Sequence, residues 1–174
     1  FFTAEQLELY VHQLLAEYRP WAAFSLEWKG KRDASLRELA FPYAHYRAGQ
    51  RSLAISVYNA CKNGGILVAC APTGTGKTNS TLFPTMKAMG EGYGERIFYL
   101  TAKTITRKAA EEALQKMRVG TALAFLSITL TAKDKICFLE ERACLPEVCP
   151  YANGYYDRVN EAVYGILQQG GALG

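Results

Sequence analysis

Eight consecutive residues, Ala71-Pro-Thr-Gly-Thr-Gly-Lys77-Thr78, have the types and order needed to hold a phosphate group. Gly74 and Gly76 permit a tight turn whose backbone N–H groups point inward at an anion. A helix opening at Lys77 adds the partial positive charge of its N-terminus. Lys77 would reach the outer phosphates as a point charge, and Thr78 would offer its hydroxyl to a magnesium ion. Pro72, Thr73 and Thr75 complete the loop. Without any ligand, the same letters describe a strand-to-helix connection.

A second group with chemical potential is Cys137, Cys144 and Cys149, three thiols within thirteen residues at spacings of seven and five. These spacings fit neither the paired C-x-x-C knuckles of a zinc ribbon nor a redox C-x-x-C. Three thiolates do not complete a metal site, so zinc and three unligated cysteines both stand as readings of the spacing. Cys61 and Cys70 sit in apolar surroundings and read as small core residues. Five cysteines, an odd number without a secretion signal, argue against a disulfide framework.

The elements that must position these groups follow from periodicity. Thr3 with Gln6 makes a capping box, and Leu7, Val11, Leu14, Leu15 and Tyr18 recur at helical spacing until Pro20, where the helix is expected to end. Residues 21–46 then read as a connector with two anchoring tryptophans and a charged turn over Trp28 to Asp33. A helix from Gly49 to Asn63 should close on Gly64 and Gly65. Ile66 to Ala71 reads as a buried strand and Lys77 to Met89 as a helix stopped by the glycines at 90, 92 and 94. Arg96 to Thr101 reads as a second strand, Thr104 to Met117 as a helix, and Leu123 to Leu130 as a third strand. Strands alternating with helices of about 10–15 residues imply an α/β fold, a parallel sheet with helices on both faces.

Composition adds bounds rather than a function. With 49% hydrophobic and 21% charged residues the chain is ordinary globular material. A net charge of +4 allows a polyanionic partner without demanding one. The apolar runs fall far below the ~20 residues of a membrane-spanning helix, so no membrane association is expected. A start at Phe1-Phe2-Thr3 and an end at Gly174 read as cuts in a longer, cytoplasmic protein.

Several segments in one order resemble a known family. Phe41-Pro-Tyr-Ala-His-Tyr-Arg-Ala-Gly-Gln50, the loop 71–78, Tyr99-Leu-Thr-Ala-Lys-Thr104, Lys135-Ile-Cys137, Cys144, Cys149-Pro-Tyr151 and Tyr155-Tyr-Asp-Arg158 are similar to the iron-sulfur DNA helicases of the XPD and DinG type, particularly bacterial members. Ala71, standing where the strict loop has glycine, is a departure common in helicase-like motors. The resemblance implies a P-loop NTPase of RecA-like fold, incomplete, with an inserted cluster segment. Residues 1–40 would be an N-terminal helical and connector segment, 41–131 the first part of the ATP-binding motor domain, and 132–174 the start of the cluster domain. It also implies that Arg47 and Gln50 contact adenine, that Lys77 and Thr78 serve ATP hydrolysis with Mg2+, and that Thr101, Lys103 and Thr104 hold the DNA backbone. Cys137, Cys144 and Cys149 would ligate a 4Fe-4S cluster whose fourth cysteine lies beyond Gly174. Single-stranded and duplex DNA are the implied partners.

Hydrolysis needs a carboxylate pair for magnesium and water, and none of the three aspartates, Asp33, Asp134 and Asp157, precedes a glutamate after an apolar run. The expectation is therefore a helicase parent and a chain that by itself binds nucleotide weakly. Two other readings compete. A different phosphate-loop enzyme, such as a nucleotide kinase, should show an arginine-rich lid, and no such cluster is present. A truncated, non-catalytic nucleotide- or metal-binding module would fit the abrupt ends.

Overall fold

The computed structural model describes residues 2–102, 104–169 and 172–173, with side chains described for 2–102 and 106–168. Helix α1 spans Ala4–Glu38 and opens on the expected capping box. The Gln6 N–H donates to Thr3 Oγ1 at 3.2 Å, and the Thr3 N–H donates to Gln6 Oε1 at 2.9 Å.

The helix does not stop at Pro20, which corrects the connector expected over 21–46. Proline deletes one donor, the N–H that would have reached the Ala16 carbonyl, at about 3 kcal/mol. Local pairs on its C-terminal side favour helix instead. Phe24 stacks on Trp28 one turn later, with ring centroids 6.5 Å apart. Lys31 donates to Glu27 at 2.5 Å across the same spacing. The charges read as a turn are thus a helical surface, and Lys29 reaches Glu95 at 2.6 Å.

Helix α2, Gln50–Asn63, ends as expected at Gly64, whose φ of 66° is left-handed. Helix α3, Lys77–Gly90, and helix α4, Thr104–Arg118, follow. Within the compact unit Phe1–Leu123, α3 is central and packs against α1, α2 and α4. It buries Leu82, Met86, Ala88 and Met89, while α4 contributes Ala110, Ala113 and Met117 from one face. Leu36, near the end of α1, is fully buried. The junction is tied by Arg37 Nη1 donating to the Gly90 carbonyl at 2.7 Å and by Lys87 Nζ donating to the Arg37 carbonyl. The apolar residues of the first half of α1, Leu7, Val11, Leu14 and Tyr18, are exposed.

The expected parallel sheet with helices on both faces is absent among the described residues, so the RecA-like α/β architecture is overturned. Among the described residues, 66–71 and 96–101 are not strands. Ile66 is 97% and Leu100 89% exposed, the opposite of the burial expected for them. An apolar run becomes a strand only when neighbours take up its N–H and C=O groups, and among the described residues no β-ladder forms at either segment. The third expected strand shrinks to β1, Ser127–Ile128. It pairs in parallel with β2, Ala172–Leu173, in register Ser127 to Ala172 and Ile128 to Leu173. This pair belongs to the second compact unit, Ala124–Gly174, which also holds the short helix α5, Lys133–Ile136, and α6, Tyr155–Gln169. No helix among the described residues is long and apolar enough to cross a membrane.

Candidate nucleotide-phosphate site

The loop before α3 is built by two left-handed glycines. Gly74 has φ 81° and Gly76, the N-cap of α3, has φ 75°, a region that side-chain-bearing residues rarely adopt. The first N–H to close a turn of α3 is that of Ser80, onto the Gly76 carbonyl at 3.1 Å. The amides of Lys77, Thr78 and Asn79 ahead of it have no intrahelical acceptor, which is the donor end that attracts anions.

Side chains gather on the loop carbonyls. The exposed Lys77 ammonium donates to Ala71 and Pro72 at 2.9 and 2.8 Å, and Thr75 Oγ1 donates to the Pro72 carbonyl at 2.9 Å. Arg47 Nη1 donates to the Gly74 carbonyl at 2.6 Å. Gln50 is 4% exposed. Its Nε2 donates to the Gly76 carbonyl at 3.3 Å, and its Oε1 accepts the Arg47 N–H at 2.9 Å. Two cations therefore stand at a glycine turn that ends in free amides. An anionic group with several oxygens can replace the carbonyls as acceptor for Lys77, because a charged acceptor makes the stronger bond. Thr78, half-buried, is the second residue of α3, and Pro72 and Thr73 are exposed at the rim of the loop.

Sequence reasoning missed Ser80. It is fully buried, and its Oγ also donates to the Gly76 carbonyl, at 3.2 Å. The signal was present, since a serine four residues after the N-cap can return its hydroxyl to that carbonyl. Asn79 Oδ1 is buried with no hydrogen-bond partner among the described residues.

The remaining expected site residues are not gathered here. Thr101 is exposed, and α4 begins at Thr104. Lys103 and the Thr104 side chain lie outside the described residues.

In the second unit, Cys149 is buried, Cys137 half-buried and Cys144 exposed. Phe138, next to Cys137, and Tyr151, two residues after Cys149, pack with ring centroids 5.5 Å apart. Lys133 is held above its ordinary range, first by a hydrogen bond to the Cys144 sulfur and then by Coulombic attraction to it, with Cys149 adding a little and burial and Arg142 opposing. Among the described residues, however, no three His, Cys, Asp or Glu side chains stand close enough to hold a metal ion. As arranged, the three thiols do not fit a cluster.

No known protein family matches this sequence, and neither the curated proteins nor the solved structures offer a match.

Proposed function

We propose that this chain is the nucleotide-gripping part of an ATP-driven DNA helicase of the iron-sulfur type. One observation carries the reading. Arg47 and Gln50, singled out for base recognition, are hydrogen-bonded to the phosphate loop itself across 27 and 26 residues of sequence. The glycine turn and residues 47–50 thus form one site.

In this reading the amides of residues 77–79 and the Lys77 ammonium hold the outer phosphates of ATP. Thr78 offers its hydroxyl to Mg2+, which supplies charge neutralisation across the phosphates when bound. Arg47 faces the base end. Thr101, Lys103 and Thr104 contact the phosphates of single-stranded DNA. A 4Fe-4S cluster on Cys137, Cys144 and Cys149 rests on the resemblance alone, and the nucleotide reading does not depend on it.

Titration of the chain with Mg·ATP by calorimetry tests the proposal. A hydrogen bond between charged partners contributes about 1.5–3 kcal/mol, so Lys77→Ala should weaken binding roughly ten- to hundredfold. Equal affinity in the two proteins would sink the reading. Turnover should be negligible for want of the carboxylate pair, and magnesium-dependent hydrolysis abolished by Lys77→Ala would overturn that part.

A further inference from the structure

The side-chain amide of Gln50 is already committed to protein groups. Its oxygen holds the Arg47 N–H and its nitrogen holds the Gly76 carbonyl, while the residue is 4% exposed. A group so enclosed has little surface left for a base. It lies tight against the turn, since a Cβ at Gly76 would stand 2.4 Å from Gln50 Nε2. The backbone closes the same link, because the Gln50 N–H donates to the Arg47 carbonyl at 3.0 Å. Residues 47–50 and the Gly76 turn are therefore joined through one amide.

We infer that Gln50 is a positioning residue, a clasp that fixes the Gly76 carbonyl and so holds the amides of residues 77–79 turned toward the phosphates, instead of a residue that reads the base. The left-handed φ of Gly76 favours glycine, and a Cβ there would also displace the Gln50 amide. The inference rests on the proposal that the loop holds nucleotide phosphates.

Two measurements on the 174-residue chain test it. The first compares Mg2+-bound ATP with Mg2+-bound inorganic triphosphate, which has no base. A clasp acts on the loop, so Gln50→Ala should weaken both ligands by the same factor, about fivefold for removal of one hydrogen bond. Loss of ATP affinity with triphosphate unchanged would overturn the inference and make Gln50 a base contact. The second needs no ligand: a double-mutant cycle of Gln50→Ala and Gly76→Ala read by thermal unfolding. The clasp predicts that Gly76→Ala lowers the midpoint less in the Gln50→Ala background, where the Cβ has space. Additive shifts would overturn it. A wild-type chain that binds neither ligand would sink the nucleotide reading, and the cycle would still decide whether Gln50 clasps the turn.

Discussion

Gly90→Ala sets two effects of opposite sign against each other at the junction of α1 and α3. Alanine inside a helix is favoured over glycine by about 0.8–1 kcal/mol, and Gly90 does not have a positive φ, so propensity alone predicts stabilisation. The new Cβ, however, would lie 2.8 Å from Leu36 Cβ, 3.0 Å from the Arg37 nitrogen and 3.1 Å from the Leu36 carbonyl carbon. These are the stem of a fully buried residue and two backbone atoms, none of which can swing aside like the end of a flexible side chain. Overpacking of this kind costs about 1–3 kcal/mol, so after the helical gain the net effect should be a loss of up to about 2 kcal/mol. For a chain of this size that lowers the unfolding midpoint by up to roughly 8 °C. Gly30→Ala is the internal control. Gly30 is also helical, in α1, but its added Cβ meets nothing within 4 Å, so the same chemical change should raise the midpoint. Scanning calorimetry of the three proteins decides the matter. A midpoint for Gly90→Ala raised as far as that of Gly30→Ala would refute the packing described for this junction.

Two further outcomes follow from charge. Glu95 is held below the usual carboxylate range by the hydrogen bond and charge of Lys29, opposed by slight burial and assisted by Arg32 and Arg96. Its contribution to stability is present above the unfolded-state value and lost as pH falls through the folded one. Lys29→Met should return Glu95 toward its ordinary value in an NMR titration, and an unmoved titration would contradict the ion pair. If the helicase proposal holds, Lys103→Ala should weaken single-stranded DNA binding and make the salt dependence shallower by about 0.7 in slope, the share of one neutralised phosphate. A slope identical to wild type would remove Lys103 from the DNA path.

Local signals were legible where a residue type answers a purely local need. Thr3 and Gln6 close a capping box, Gly64 takes the left-handed cap that ends α2, and α3 begins at Lys77 after two left-handed glycines. Signals that depend on neighbours were not. Ile66 and Leu100 belong to apolar runs, but a strand is made by the chain beside it, and no residue pattern within the run supplies that chain. Pro20 misled in the other direction, because the pairs Phe24 with Trp28 and Glu27 with Lys31 carry α1 past a missing hydrogen bond. At the candidate site the loop itself could be read from Gly74, Gly76 and Lys77. That Arg47 and Gln50 come to it was suggested only by resemblance, and the burial that turns Gln50 toward Gly76 has no signature in the sequence.

The most direct test of the nucleotide site is residue-resolved. Mg·ATP added to the isotopically labelled chain, followed by backbone amide NMR, should shift the amides of residues 74–80 and of 47–50 first, and the same titration on Lys77→Ala should shift them little. Shifts confined to other residues, or none at ligand concentrations in the millimolar range typical of about 4 kcal/mol of binding, would contradict a phosphate site at this loop.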